Sequence, residues 1–269
     1  MKTKKLFVVI VVSMAVILGF TTCMNGGGNS SNISFVSPAI IGYDMQAGLT
    51  LKTYYGTVIP DNTSALNLSS LLPGSCIYMS FDYNSEYQTN QYYSVASNIN
   101  FVRVEVNNIL EEDTVMVNDY NCPLSSVQKT IDNYSGYETS TTPNYGGIFF
   151  VATFAKLGQN QALQYYSYIK PDEQLDSNGA RNIYLQAMYP GTGTLTGTQD
   201  VGMVYALDMR NLLLSSGRDT TIIDGSGTNY SSKYIKINLQ YCSSIENGSP
   251  VFTSVATQPI YIYALIDDL

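Results

Sequence analysis

The sequence predicts an all-β protein built from small barrels or sandwiches, and three observations carry that prediction. The strongly patterned segments alternate apolar and polar residues with a period of two. They are rich in β-branched and aromatic residues, and Gly, Asn, Pro and Ser punctuate the gaps between them. Beyond the first 20 residues, no stretch presents an apolar face at helical spacing over three turns. The chain has 269 residues, long enough for one or two cores, with 45% hydrophobic and only 13% charged residues. It contains 23 Tyr, no Trp and no His. Without histidine there is no Ser-His-Asp triad, no His-ligated metal and no histidine general base.

The N-terminus comes first in the chain. Met1-Lys2-Thr3-Lys4-Lys5 precedes an apolar-to-small run from Leu6 to Phe20. Three lysines and a 15-residue run suit the first two regions of a secretory signal, and the run is short for a membrane span. Phe20-Thr21-Thr22-Cys23 then resembles the end of a bacterial lipoprotein signal, with Phe20 where Leu is commoner and Thr22 slightly large for its site. By that resemblance residues 1–22 are a cleaved signal peptide and Cys23 is the acylated N-terminus, palmitate among its chains. Residue 24 is Met rather than the Asp that signals inner-membrane retention, so the resemblance implies a lipid-anchored protein of the outer membrane of a Gram-negative bacterium. Residues 23–32 are dominated by Asn, Gly and Ser, which bury too little surface to offset chain entropy, and they read as a flexible tether. Loss of Lys2, Lys4 and Lys5 leaves 10 basic against 21 acidic residues, a net charge of −11. Such a body excludes a nucleic-acid partner recognised through basic patches.

The period-two segments follow in order. They are Leu51 to Ile59, Ile77 to Tyr83, Ile99 to Val106 and Ile148 to Phe154. Ile183 to Tyr189, Met203 to Met209, Tyr234 to Tyr241 and Ile260 to Ile266 complete the set. Ser64 to Leu72 and Asn211 to Ser216 are each expected to hold a single helical turn. Patterning is weakest from Asn118 to Pro143 and from Gly191 to Gly197, and the longer tract places a domain boundary near residue 119. That leaves domains at 33–118 and 119–269. Beyond Cys23 the cysteines are Cys76, Cys122 and Cys242, which allow one disulfide plus a buried thiol or three small core residues, and no pairing is favoured.

A family resemblance rests on the order of several of these segments. Tyr55-Gly56-Thr57-Val58-Ile59-Pro60 and Leu71-Leu72-Pro73-Gly74 lead into Ile77-Tyr78-Met79-Ser80-Phe81, then Val104-Glu105-Val106-Asn107-Asn108-Ile109-Leu110. Val204-Tyr205-Ala206-Leu207-Asp208-Met209-Arg210-Asn211-Leu212 and Ile235-Lys236-Ile237-Asn238-Leu239 follow. This order resembles the NigD-like lipoproteins of Bacteroidetes. The resemblance implies an OB-like barrel over 33–118 followed by an antiparallel β-sandwich over 119–269. That family has no established catalytic residues, so no site is transferred.

Candidate chemistry is sparse. Glu111-Glu112-Asp113 and Asp172, Glu173 and Asp176 lie in polar, turn-like stretches, where solvated carboxylates are expected rather than the facing pair of a glycosidase. The second group has oxygen donors suited to calcium but not the spacing of an EF-hand. Gly191 to Gly197 and Asp224-Gly225-Ser226-Gly227 lack the Lys of a phosphate loop, and neither holds GxSxG. Tyr92-Tyr93, Tyr165-Tyr166-Tyr168 and Tyr261-Tyr263 offer rings for sugar stacking, although tyrosines flanking strands more often pack across the sheet. Asp113-Thr114-Val115 and Asp219-Thr220-Thr221 resemble the motif for O-glycosylation of exported proteins in such bacteria, which marks Thr114 and Thr220. No catalytic residue, cofactor or metal site is expected. The expected function is a non-catalytic, lipid-anchored envelope module whose partner is another envelope protein, and the alternative is a carbohydrate-binding accessory lipoprotein using surface tyrosines.

Overall fold

The computed structural model describes residues 32–63, 71–84, 94–130, 146–158, 161–191, 197, 199–223 and 227–269. The expected signal peptide, Cys23 and all but the last residue of the tether fall outside them, as do Tyr92-Tyr93 and the Ser64 turn up to residue 70. The chain divides into two compact units between Glu105 and Val106, earlier than the boundary expected near 119.

The first unit is a closed five-stranded barrel. Its strands are β1 (Asn32–Asp44), β2 (Gly48–Thr53), β3 (Gly56–Pro60), β4 (Cys76–Asn84) and β5 (Ser94–Val104). They are ordered β1-β2-β3-β5-β4, and β1 closes the barrel by pairing antiparallel with both β2 and β4. β3 and β5 run parallel. Closure leaves no open sheet edge. The interior is filled by Ala39, Ile41, Leu51, Val58, Ile77, Met79 and Phe81, inward positions of alternating strands. The OB-like expectation therefore holds for the architecture. Leu51 to Ile59, read as one strand, is instead the β2–β3 hairpin. Gly56 has φ +107°, outside the range other residues adopt easily, and Thr53 Oγ1 donates to the Gly56 carbonyl at 2.7 Å to close the turn.

The second unit is a two-layer sandwich. One sheet has the order β6 (Val106–Asn108), β12 (Asp200–Asp208), β9 (Ile148–Lys156), β8 (Ser126–Lys129). The larger sheet contains β7 (Leu110–Glu111), β10 (Gln164–Ile169), β11 (Arg181–Met188), β13 (Arg218–Ile223), β14 (Asn229–Glu246), β15 (Ser249–Ser254) and β16 (Ile260–Leu265). The expected sandwich was antiparallel, whereas both sheets are mixed. β6 pairs parallel with β12, β7 with β10 and β11 with β14. The short strands β6 and β7, which precede residue 119, thus each belong to a sheet of this unit.

Val127, Phe149, Val151, Tyr205 and Leu207 from the smaller sheet meet Ile183, Leu185, Ile237, Leu239 and Ile262 from the larger one in a single core. Two polar links cross this interior. Ser167 Oγ lies 2.9 Å from the Tyr205 hydroxyl, and Thr153 Oγ1 lies 2.6 Å from that of Tyr165. Each pair satisfies buried hydroxyls that would otherwise oppose burial. Among the described residues two short α-helices accompany the sheets: α1 (Thr114–Asp119) and α2 (Arg210–Ser216). α2 fulfils the helical turn expected at Asn211 and buries Leu212 and Leu213. Among the described residues no helix is long and apolar enough to cross a membrane.

Candidate functional site on the outer face of the large sheet

Side chains alternate between the two faces of a strand, and directly paired residues share a face. The register therefore places Tyr166 and Tyr168 of β10, Asn182, Tyr184 and Gln186 of β11, and Tyr234, Lys236 and Asn238 of β14 on one outer face. Tyr261 and Tyr263 of β16 join it opposite Lys236 and Tyr234. This face has two halves of different character.

The first half is a covered aromatic stack. Tyr166 and Tyr168 lie 4.9 Å apart at 20°, and Tyr168 and Tyr184 lie 5.3 Å apart at 21°. Tyr120 and Phe252 pack against the two ends. Met116 and Val117 of α1 pack against the cluster. Gln186, fully buried, pins that helix by donating to the carbonyls of Val117 and Tyr120 at 3.2 and 2.9 Å. The Tyr166 hydroxyl accepts from the Asp113 N–H and donates to the Glu111 carbonyl, both at 3.0 Å. Tyr168 is wholly buried and burial pushes its phenol up. Burial, with the Glu173 carboxylate accepting from its hydroxyl at 2.9 Å, raises Tyr184 to about 12. Of the tyrosines weighed for sugar stacking, Tyr166 and Tyr168 are therefore core.

The second half is open. Tyr234, Tyr261 and Tyr263 are half-buried, with ring centres 5.8–6.3 Å apart and ring planes within 28° of one another. Lys236 Nζ stands 5.3 Å over the Tyr261 ring and donates to the Asn178 carbonyl at 3.2 Å. Beside this triangle the strand ladder has a gap. One edge of β14 pairs with β13 as far as Tyr234 opposite Arg218, then with β11 from Ile237 opposite Arg181. Ile235 and Lys236 face neither strand in that register, and a notch of about 60 Å³ opens there. Arg181 and Arg218, the first residues of β11 and β13, flank it.

The acidic residues nearby serve the backbone. Asp176 Oδ1 accepts from the N–H groups of Asn178 and Ala180, both at 2.8 Å, and its Oδ2 accepts from the Asn238 amide at 2.9 Å. The Asn238 bond, followed by those from the turn, holds this carboxyl below its ordinary value. Gly179, at φ +72°, completes the turn. Glu173 accepts from Asn182 and Tyr184. In the other acidic run, Glu112 lies 3.6 Å from Lys170, and Asp113 Oδ1 accepts from the Met116 N–H at 3.4 Å at the start of α1. Among the described residues no group of three carboxylates or thiols could hold a metal.

Of the other marked positions, Thr114 is exposed at the start of α1, and Thr220 is half-buried on β13 opposite Ser232. Nothing joins these two threonines, and Cys23 lies outside the described residues. Cys76, Cys122 and Cys242 are all buried free thiols, the alternative without a disulfide. The sequence reading missed the Arg181–Arg218 notch.

No family profile matches the sequence, and no curated protein is significantly similar to it. Solved structures do resemble it. An uncharacterized protein from Parabacteroides merdae ATCC 43184 is 14% identical with a TM-score of 0.53, over 86% of this chain and 96% of that one. A candidate lipoprotein from Bacteroides fragilis NCTC 9343 is 12% identical with a TM-score of 0.51, over 87% and 97%. A NigD-like immunity protein from Bacteroides caccae ATCC 43185 is 13% identical with a TM-score of 0.47, over 84% and 94%. At these identities the likeness concerns the fold alone, and the chain is similar in fold to the proteins from Parabacteroides merdae and Bacteroides fragilis.

Proposed function

We propose that this is a non-catalytic, lipid-anchored protein of the outer membrane that works as an interaction module, with Cys23 as the acylated residue. The observation supporting it is the outer face of the large sheet, which is open and polar-aromatic around Tyr234, Tyr261 and Tyr263. The acidic groups beside that face are engaged in turns and part-buried hydrogen bonds. Interaction proteins need an accessible surface of rings and polar groups, whereas acid–base catalysis needs two poised groups converging on one point. The partner is another envelope component reached while the acyl chains hold the body at the membrane. A mature net charge of −11 disfavours a nucleic-acid partner held by phosphate contacts.

Labelling cells with an alkyne fatty acid tests the anchor. Wild-type protein should incorporate the label and fractionate with outer membrane, and Cys23→Ala should do neither. A photo-crosslinking residue at position 261 tests the module. A specific adduct with an envelope component is the expected result, and adducts no different from those of a site on the barrel would overturn the reading. The half-buried tyrosine triangle also favours a second reading, carbohydrate binding, because parallel ring faces match the C–H faces of sugar rings.

A further inference from the structure

We infer that the notch between β11 and β13 binds the carboxylate of an acidic polysaccharide, with Arg181 and Arg218 holding the charge and the adjoining tyrosines holding the sugar ring. The inference rests on the interaction-module reading and names the chemistry of what is bound.

Charge is the first argument. The mature chain has 21 acidic residues and 10 basic ones, so an arginine near its surface should readily find a carboxylate. Arg210 has one at 2.5 Å, in Asp208, and Lys233 has Asp219 at 2.8 Å. Arg181 and Arg218, two of only four arginines, have no ion-pair partner among the described residues, yet they border the same cavity. Lys236 lines it as well, so three cationic residues border one cavity in a strongly anionic chain. The acids nearest to them in the sequence are engaged elsewhere: Asp219, next to Arg218, pairs with Lys233, and Asp176, nearest to Arg181, is committed to three amide donors.

Burial is the second argument. Arg181 Nε is screened from solvent and has no hydrogen-bond partner. An unsatisfied buried donor opposes folding, and an incoming oxygen would relieve it. Guanidinium groups offer planar, paired donors that match a carboxylate better than any neutral group. The size agrees: about 60 Å³ is roughly the space of two waters, enough for one carboxylate and too small for a sugar ring. The ring must therefore sit outside the notch. Tyr234 lines the notch and belongs to the open triangle with Tyr261 and Tyr263, so the stacking surface begins where the anion site ends. That continuity favours a sugar acid over an acidic peptide, whose flexible side chain has no use for a ring platform.

Isothermal titration of the full mature chain with oligogalacturonate tests this. The comparison ligands are its methyl ester, an oligoglutamate peptide and sodium sulfate. Wild type should bind the uronate and not the neutral ester. Arg218→Gln, Arg181→Gln and Tyr261→Leu should each weaken binding, by about tenfold for either arginine. Circular dichroism of each variant separates this effect from unfolding, and Arg218→Gln, at an exposed position, serves if Arg181→Gln fails to fold. Equal binding of ester and acid, unchanged affinity in Arg218→Gln, or no uronate binding would overturn the inference. Binding of oligoglutamate as tight as uronate would replace the polysaccharide with an acidic protein. Tight sulfate binding without uronate binding would reduce the notch to a site for small inorganic anions. Acylation at Cys23 and position-261 adducts remain informative in each of these outcomes, so failure here is distinguishable from failure of the module reading.

Discussion

Replacing Tyr168 with Ala separates a structural tyrosine from a binding one. Tyr168 is fully buried between Tyr166 and Tyr184, with ring centres at 4.9 and 5.3 Å. Removing a large buried aromatic ring costs about 3–5 kcal/mol through forfeited transfer energy and the cavity left behind. Because Tyr168 stacks on a ring at either side, the change falls toward the upper end of that range. For a unit of this size each kcal/mol shifts Tm by about 2–4 °C, so the sandwich should melt about 8–20 °C lower. Differential scanning calorimetry of the full mature chain reads this directly. The paired control is Tyr261→Ala at the half-buried triangle, where about 1 kcal/mol and a shift of about 2–4 °C are expected. A shift for Tyr168→Ala no larger than that of Tyr261→Ala would refute the division of the outer face into a structural half and an open half.

Three further outcomes follow from the titratable groups. Burial raises Tyr78 and Tyr184 to about 12, so neutral phenols stabilise the fold fully below about pH 10, and that stability is lost as pH rises toward 12. Spectroscopic titration should show these phenols ionising only as the fold is lost, and normal titration in an intact fold would contradict their burial. Burial, reinforced by Cys242, raises the Cys122 thiol to about 11, so iodoacetamide at about pH 8 should leave it unlabelled until denaturant is added. Burial works against ionisation of Asp208, but the hydrogen bonds and charge of Arg210 outweigh it and hold the carboxyl below its usual range. Its contribution is therefore present above about pH 4 and fades as pH falls through the lowered value. Asp208→Asn should cost about 1–2 kcal/mol near neutral pH and progressively less in acid, measured by urea unfolding.

The local pattern of the sequence reveals strands well and their partners poorly. Ile77 to Tyr83 alternates and lies within β4, and Ile148 to Phe154, a nearly continuous apolar run, lies within β9 and is almost wholly buried. β1 was hidden because Pro38 and Gly42 interrupt its pattern, although both positions are tolerated where the strand passes from β4 to β2. Leu51 to Ile59 misled because Tyr54-Tyr55 looks like strand, and only the positive φ of Gly56 makes it a turn. Parallel pairing cannot be read from period-two alternation, which is the same for either direction. The notch was illegible for a related reason. Arg181, Arg218 and Tyr234–Lys236 are scattered along the chain, and what unites them is the register that hands the edge of β14 from β13 to β11.

The same register explains why tyrosines of similar local sequence have different roles. Tyr166 and Tyr168 alternate on β10 as Tyr261 and Tyr263 do on β16, and all four lie on the outer face. What differs is the cover. Glu111 and Asp113 anchor Tyr166, and Gln186 holds the end of α1 down, so one set of rings has a lid tied to the sheet by named hydrogen bonds. Tyr261 and Tyr263 are instead half-buried, with the Lys236 ammonium over the Tyr261 ring. The rings there meet a lysine and a cationic notch instead of a packed helix. A tyrosine face evolved only for stability gains most by being buried, because each ring left half in water forgoes part of its apolar contribution. The open half therefore retains exposed ring surface beside unpaired positive charge, a combination that folding alone does not favour and that binding an anionic sugar would use.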